Sequence, residues 1–206
     1  MKLKPHTLAI IALTAAIGIG TWQSAAQMGK MNHNMSGMSM ELGKADANLD
    51  LRFIDGMMPH HQGAIAMAKE ALQKSKRPEI KKLAAEIIKA QEVEIAQMQK
   101  WRKSWYPNVG STPMAWNSEM GHMMTMTDSQ KKGMMMSEDL GASDANFDLR
   151  FLNAMIPHHE AALMMATEAQ GKTKRTEVKK LAQDILSSQK AEITQMQQWR
   201  KAWYGK

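Results

Sequence analysis

Residues 50–68 read DLRFIDGMMPHHQGAIAMA, and residues 148–166 read DLRFLNAMIPHHEAALMMA. The two stretches align without a gap at an offset of 98 residues, and the match extends over residues 46–106 and 144–204 with more than half of the positions identical. Both copies carry a basic stretch near the middle and end in WRK-x-WY. The chain therefore contains an internal duplication, and one repeat has to explain the fold of both copies.

Each copy shows the apolar spacing of two amphipathic helices. The first helix of copy one has inward positions three or four residues apart, at Ile54, Met58, His61, Ile65, Ala68 and Leu72. The second helices have matching inward stripes, at Ile80, Leu83, Ile87, Glu94, Met98, Trp101 and Trp105, and at Val178, Leu181, Ile185, Glu192, Met196, Trp199 and Trp203. A hairpin of about 60 residues buries little core by itself. We therefore predict an all-α protein in which helical hairpins at 45–106 and 143–206 form one four-helix bundle. The alternative is two separate hairpins that each dimerise with another molecule.

A proline stands just before the histidine pair of each copy, at Pro59 and Pro157. Inside a helix, proline removes one backbone hydrogen bond and crowds the carbonyl four residues earlier. The sequence therefore predicts a kink beside each histidine pair, and the alternative is that each proline opens a new helix. Both interpretations place the histidines next to a break in regular structure.

The N-terminal segment, residues 1–26, has the pattern of a secretory signal peptide. Lys2 and Lys4 form a short positive region, residues 8–19 are apolar, and residues 24–26 (SAA) are typical of a cleavage site. The apolar stretch is short for a bilayer span. We expect a mature protein that begins near Gln27, has no stable membrane insertion, and lies in the periplasm or outside the cell. An uncleaved anchor is the alternative. The chain has no cysteine, which excludes disulfides and cysteine-based metal sites.

Methionine is abundant, at 22 of 206 residues, and much of it lies in polar segments that cannot form a core. Residues 27–44 and 107–142 have the composition of loops. We predict that they are flexible methionine-rich arms that capture copper, one before the first repeat and one linking the repeats. Their candidate ligands are Met31, His33, Met35, Met38 and Met40 in the N-terminal arm, and Met120, His122, Met123, Met124, Met126, Met134, Met135 and Met136 in the linker.

Methionine and histidine together favour copper as the ligand of the repeats. A thioether is a soft, neutral donor for Cu(I) or Ag(I), and neutral imidazole suits both Cu(I) and Cu(II). We expect the imidazole contribution to decline below a pKa of roughly 6.5. Met57 precedes His60 by three residues and His61 by four, which brings these side chains together on a helix. The candidate ligands in the repeats are Met57, His60, His61, Met67, Met155, His158, His159, Met164 and Met165.

A structural role is the alternative for each of these residues. A single histidine on an apolar stripe is usually hydrogen-bonded in the core, and a methionine stripe is usually packing. Repetition of the His-His pair with methionine in both copies favours ligands. Met67 and Met165 follow the first histidine of each pair by seven residues, so they either close the same site or serve a second ion.

Two inward-facing glutamates have two interpretations. Glu94 and Glu192 lie on stripes where an unpaired carboxylate is costly. Each therefore either orients a facing histidine from outside the ligand set or bonds Arg or Trp near the bundle edge. The WRK-x-WY endings are expected to pack at the bundle end with arginine stacked on the rings, and a membrane surface is their alternative position.

The segment D-L-R-F-[IL]-x-x-M-x-P-H-H-x-x-A-[IL]-x-M-A, at 50–68 and 148–166, resembles the signature of the family called domain of unknown function 305. That family is a ferritin-like helical group found mostly in bacteria. The two-copy plan with a signal peptide and methionine-rich arms is similar to exported copper-binding members. The resemblance implies copper binding and copper tolerance, with carried-over positions at Met57, His60, His61, Met67, Met155, His158, His159 and Met165.

Two other functions explain parts of the sequence. A di-iron or di-manganese carboxylate oxidase needs Glu-x-x-His pairs, and neither histidine pair has a glutamate three residues before it. A non-metal interaction protein with pliable methionine surfaces leaves the histidine pairs without a role. We therefore expect a protein that sequesters or carries Cu(I) and/or Cu(II) without turnover chemistry, with a copper exporter or sensor as candidate partner. Nucleic acid is not expected, because the net charge of +7 comes from Lys and Arg interleaved with Glu.

Overall fold

The computed structural model describes residues 40–206. Its helices and strands are, in chain order, α1 (Leu49–Lys74), α2 (Pro78–Trp105), β1 (Met114–Asn117), β2 (His122–Thr125), α3 (Asp128–Met135), α4 (Phe147–Lys172) and α5 (Thr176–Tyr204). The predictions for residues 1–39, which include the signal peptide at 1–26 and the ligands Met31, His33, Met35 and Met38, lie outside the described residues. Within residues 40–206, no helix is long and apolar enough to cross a membrane.

The four long helices form one bundle, as the duplicated pattern predicts. α1 packs on α2, α4 packs on α5, and α1 packs on α4. The α1–α4 pair is antiparallel, because Asp50 at the start of α1 accepts from Thr173 at the end of α4, and Lys74 at the end of α1 donates to Gly141 before α4. Two buried apolar clusters each contain side chains from all four helices. The alternative of two separate hairpins is therefore wrong for this chain.

Contacts between an arginine and stacked tryptophans join the two copies. Trp105 stacks on the other tryptophan of its WRK-x-WY ending at 5.0 Å between ring centroids, and Arg175 of copy two lies 4.2 Å from the Trp105 ring. The equivalent stack at Trp203 has a spacing of 5.2 Å, and Arg77 of copy one lies 4.1 Å from it. The predicted aromatic packing with stacked arginine is confirmed. Each arginine comes from the loop between the helices of the opposite copy.

Neither proline interrupts its helix. α1 runs unbroken through Pro59, and α4 runs unbroken through Pro157. Both helices are continuous beside the histidine pairs, so the alternative that each proline opens a new helix is wrong. Proline inside a helix costs about 3 kcal/mol. Packing offsets this cost, because the turns on both sides of Pro59 are buried in the bundle.

The linker between the hairpins is folded, which corrects the prediction of a flexible arm at 107–142. β1 and β2 form an antiparallel pair. α3 begins at a capping box in which the side chain of Thr127 accepts from the backbone of Gln130, and the side chain of Gln130 accepts from the backbone of Thr127. The linker is also tied to copy one, because Asp55, itself paired with Arg102, accepts from the backbone N–H of Met114 at 2.9 Å. Tertiary contacts with α1 and α2 thus order a segment whose composition resembles a loop.

A close backbone contact attaches α3 to α1. The carbonyl of Met135 lies so near Gly63 that a Cβ atom at this position would be 1.7 Å from the Met135 oxygen. Glycine, which lacks a Cβ atom, allows this approach. The residue at the equivalent position of copy two is Ala161. The same contact therefore cannot form on α4, and the linker makes the two copies unequal.

Gly63→Ala should displace α3 from α1. The added methyl group overlaps a backbone carbonyl, so we expect the free energy of unfolding to fall by about 1–3 kcal/mol. The matched control is Gly171→Ala in α4, where a Cβ atom meets nothing within 4 Å. That change should be neutral or stabilise the helix by up to about 1 kcal/mol. Thermal unfolding measures both variants, and equal stability of the two would contradict the contact.

Candidate metal centre

Four buried histidines occupy the middle of the α1–α4 contact. His60, His61 and His159 have no exposed surface, and His158 is 1% exposed. The ring centroids of His60 and His158 lie 3.8 Å apart. Within one copy the two rings are farther apart, at 6.5 Å in copy one and 6.2 Å in copy two. The two histidine pairs therefore form a single cluster where the copies meet, which spacing within one repeat does not reveal.

Each second helix supplies a glutamate to this cluster. His61 Nε2 lies 2.6 Å from Glu94 Oε2, and His159 Nε2 lies 2.7 Å from Glu192 Oε2. The structure thus places a histidine beside each glutamate rather than the alternative partners Arg or Trp. A carboxylate accepts, so Nε2–H donates, and in the neutral ring Nδ1 keeps its lone pair. The glutamate side chains are 16% and 20% exposed, so each pair connects the interior with the surface.

The linker supplies the corresponding acceptor to a third histidine. His158 Nε2 lies 3.0 Å from the backbone carbonyl of Met135, the same carbonyl that contacts Gly63. This bond also favours the Nε2–H tautomer and leaves the lone pair on Nδ1. Met135, a candidate sulfur ligand, makes this contact through its backbone oxygen, and a backbone carbonyl has no signature in the sequence.

Five imidazole nitrogens in the cluster have no hydrogen-bond partner within residues 40–206. They are both ring nitrogens of His60 and the Nδ1 atoms of His61, His158 and His159. A buried polar group without a partner costs about 1–3 kcal/mol, and such groups are rare in folded proteins. A metal ion would remove this cost at an unprotonated nitrogen, because it accepts the lone pair.

Burial keeps the first histidine of each pair neutral. Desolvation, with repulsion between neighbouring histidines, lowers the pKa of His60 well below 6.5 and the pKa of His158 from 6.5 to about 3. The neutral ring is the form that binds a metal ion. The expectation that protons compete for imidazole below a pKa of roughly 6.5 is therefore wrong for these two histidines.

The buried methionines of the bundle are grouped between copies rather than within them. Met57, Met67, Met155 and Met165 have no exposed surface. Met57 and Met165 lie in one apolar cluster, which we call cluster one, and Met67 and Met155 lie in the other, cluster two. Met57, which precedes the histidine pair of copy one, thus lies in the same cluster as Met165, which follows the pair of copy two. Met155 and Met67 are related in the same way, because α1 and α4 are antiparallel. Met67 therefore groups with Met155 of the other copy rather than with Met57 of its own.

Met164 does not belong to the bundle site, although the sequence grouped it with Met165. Its side chain is 59% exposed, whereas Met165 is fully buried. Neighbouring positions on a helix point about 100° apart, because one turn takes about 3.6 residues. The inward position is taken by Met165, so Met164 faces away from the histidines.

The linker residues that were predicted as ligands divide into two groups. Met126 and Met134 are only 4% and 7% exposed and pack in cluster one. The exposed group lies on the β1–β2 hairpin, at Met120 (60% exposed), Met124 (39% exposed) and His122. Met40, Met123, Met135 and Met136 are partly buried. One part of the linker therefore joins the bundle, and another part faces solvent.

Two buried glutamines near the centre were missed by the sequence interpretation. Gln91 and Gln189 are each 3% exposed, and their Oε1 atoms have no partner among the described residues. They precede Glu94 and Glu192 by three residues, which is about one helical turn. The feature of the sequence that could have identified them is a polar residue one helical turn before each inward glutamate.

The buried candidate donors on α1 and α4 are imidazoles and thioethers. Within residues 40–206, no three His, Asp or Glu side chains are grouped so that they could hold a metal ion together. The mixed nitrogen and sulfur set is of intermediate to soft character, which suits copper and silver better than Mg²⁺ or Ca²⁺.

Comparison with known proteins assigns the family. The model of a family described as "Domain of unknown function (DUF305)" matches residues 50–200. The chain belongs to the DUF305 family. This DUF305 protein is similar to CopM in its Cu(II)-bound form, with 46% identity, coverage of 75% of this chain and 97% of CopM, and a TM-score of 0.61. CopM structures in the Cu(I)-bound and Ag-bound forms match with 42% and 41% identity.

Two further relatives match over different lengths. A DUF305 protein of Streptomyces coelicolor, described provisionally as secreted, is 28% identical, with coverage of 71% of this chain and 88% of that chain and a TM-score of 0.53. The uncharacterized protein L153 of Acanthamoeba polyphaga mimivirus is 45% identical over 49 residues, which are 24% of this chain and 32% of L153. The match with L153 thus spans about a third of that protein.

Acidification should destabilise the metal-free DUF305 protein between about pH 6.5 and pH 3. In this window the unfolded chain binds more protons than the folded chain, so stability rises with pH. For each unit by which the pH falls, His60 and His158 each lower the free energy of unfolding by about 1.4 kcal/mol, as long as the ring stays neutral in the folded state. Replacing both by Phe should flatten this slope in thermal unfolding, whereas His122→Gln on the exposed hairpin should leave it unchanged. An identical slope in wild type and the double Phe variant would contradict the assignment.

Proposed function

We propose that this DUF305 protein is an exported copper-binding protein that sequesters or carries Cu(I) and Cu(II), binds Ag(I) as well, and contributes to copper resistance. Copper is the cargo of the protein in this proposal. One observation carries it: five buried imidazole nitrogens have no hydrogen-bond partner within residues 40–206, and the two helices that carry them also carry four fully buried thioethers.

The charges around the cluster fit a cation. The bundle donors are the thioethers of Met57, Met67, Met155 and Met165 and the imidazoles of His60, His61, His158 and His159. All of these donors are neutral when they bind, so an ion among them brings uncompensated positive charge into a buried site. The carboxylates of Glu94 and Glu192 stand one imidazole away, at 2.6 and 2.7 Å from Nε2. They offset part of this charge and orient the ligating rings.

The relatives support the choice of ion. CopM is described in Cu(II)-bound, Cu(I)-bound and Ag-bound forms. We extend copper and silver binding to this chain, because the similarity covers 75% of it at 41–46% identity. Export to the periplasm or the exterior is supported by the signal-peptide pattern at residues 1–26 and by the relative described provisionally as secreted.

The distribution of donors suggests how the ion is collected and held. The exposed hairpin presents Met120, His122 and Met124 to solvent, where weak thioether contacts form and break quickly. The bundle donors are buried and hold the ion more tightly, because water does not compete for it there. Binding and release require no turnover chemistry. A copper exporter or sensor is the proposed recipient or donor.

Replacement of His60, His61, His158 and His159 by Ala in one protein should weaken tight Cu(I) binding by more than about 100-fold, since loss of even a supporting group costs 10–100-fold. The matched control is His122→Ala, which removes an exposed imidazole and should leave tight binding intact. Competition with a Cu(I) chelator measures the affinity, and X-ray absorption reports nitrogen and sulfur neighbours. Unchanged stoichiometry and affinity in the four-histidine variant would refute the bundle site.

A further inference from the structure

Cluster one and cluster two contain different numbers of methionines. The buried methionines of cluster one are Met57, Met98, Met126, Met134 and Met165, and those of cluster two are Met67, Met155 and Met196. Three in each cluster correspond to one another through the offset of 98 residues. The additional two in cluster one come from the linker. The duplication thus makes two similar clusters, and the linker makes them unequal.

Met134 meets Met165 at the backbone of α1. A Cβ atom built on Gly56 would lie 3.6 Å from Met165 Sδ and 3.8 Å from Met134 Cε. The ends of the two side chains therefore both lie near Gly56, and Met57, the next residue of α1, belongs to the same cluster. A Cβ atom at Gly56 would be in ordinary van der Waals contact with both side chains, and the equivalent residue of copy two is Ala154.

The position of Met134 is set by contacts on both sides of it. α3 begins at the capping box of Thr127 and ends where the Met135 carbonyl packs on Gly63 and accepts from His158 Nε2. The same anchoring buries Met134, which is 7% exposed. Within residues 40–206, cluster two contains no methionine besides Met67, Met155 and Met196, and none of these comes from the linker.

We infer that Met134 is a metal ligand of the bundle, and that it forms with Met57 and Met165 a three-thioether site for Cu(I) or Ag(I) beside the histidine cluster. This inference rests on the proposed function. A third soft donor strengthens the binding of a soft ion. The corresponding pair in cluster two, Met67 and Met155, has no linker methionine beside it within residues 40–206, so cluster one fills first. The metal also ties α3 to the bundle, because one of its ligands belongs to the linker.

Titration of the full metal-free chain with Ag(I) against a competing chelator tests the inference. Wild type should fill in two steps of unequal affinity. Met134→Leu should weaken the first step by at least about tenfold, since loss of even a supporting group weakens metal binding 10–100-fold. The matched control is Met164→Leu on α4, which is 59% exposed and faces away from the histidines. It should leave the first step unchanged.

X-ray absorption at one equivalent of Ag(I) gives a second readout, with three sulfur neighbours expected in wild type and two in Met134→Leu. If Met134→Leu fails to fold, the wild-type count decides, and fewer than three sulfurs would overturn the inference. An equal first step in wild type and Met134→Leu, or equal weakening by Met164→Leu, would overturn the inference alone. A wild type that binds neither Ag(I) nor Cu(I) would overturn the proposed function together with it.

Discussion

The antiparallel contact between α1 and α4 is the interaction on which the rest of the structure depends. It brings His60 of one copy within 3.8 Å of His158 of the other, measured between ring centroids. It also places the methionine before one histidine pair in the same apolar cluster as the methionine after the other pair. A hairpin alone holds half of each donor set. The duplication therefore has a chemical consequence under the proposed function, because the proposed donor groups are complete only when both copies pack together.

Burial of the histidine cluster links stability to binding. Removing water keeps His60 and His158 neutral and lowers their pKa, so their nitrogens stay ready for a metal ion at mildly acidic pH. The same burial leaves ring nitrogens without hydrogen-bond partners among the described residues, which lowers the stability of the metal-free fold. An ion that binds the folded chain and not the unfolded chain recovers this free energy. The glutamates beside His61 and His159 limit the cost of the added charge.

Local patterns in the sequence were sufficient to predict the repeat, the four long helices and the inward glutamates. Helix periodicity and the offset between copies can be read directly from the order of the residues. They were insufficient where a distant contact decides the outcome. The linker folds because Asp55 and Gly63 hold it, and Pro59 stays inside α1 because packing offsets its cost. The grouping of methionines across copies follows from helix direction in the bundle, which spacing within one repeat does not contain. Met164 was predicted as a ligand because it adjoins Met165 in the sequence, although the two side chains point in different directions on the helix.

The central claim is that the acceptors of Nε2–H leave Nδ1 free for the metal in His61, His158 and His159. Long-range ¹H–¹⁵N correlation spectra of the imidazole rings, recorded with and without Ag(I), test it most directly. The account predicts Nε2–H tautomers in the metal-free chain, and on addition of Ag(I) it predicts shifts at Nδ1 while Nε2 stays protonated. Metal-dependent shifts at Nε2 of these rings, or shifts confined to the exposed His122, would contradict it.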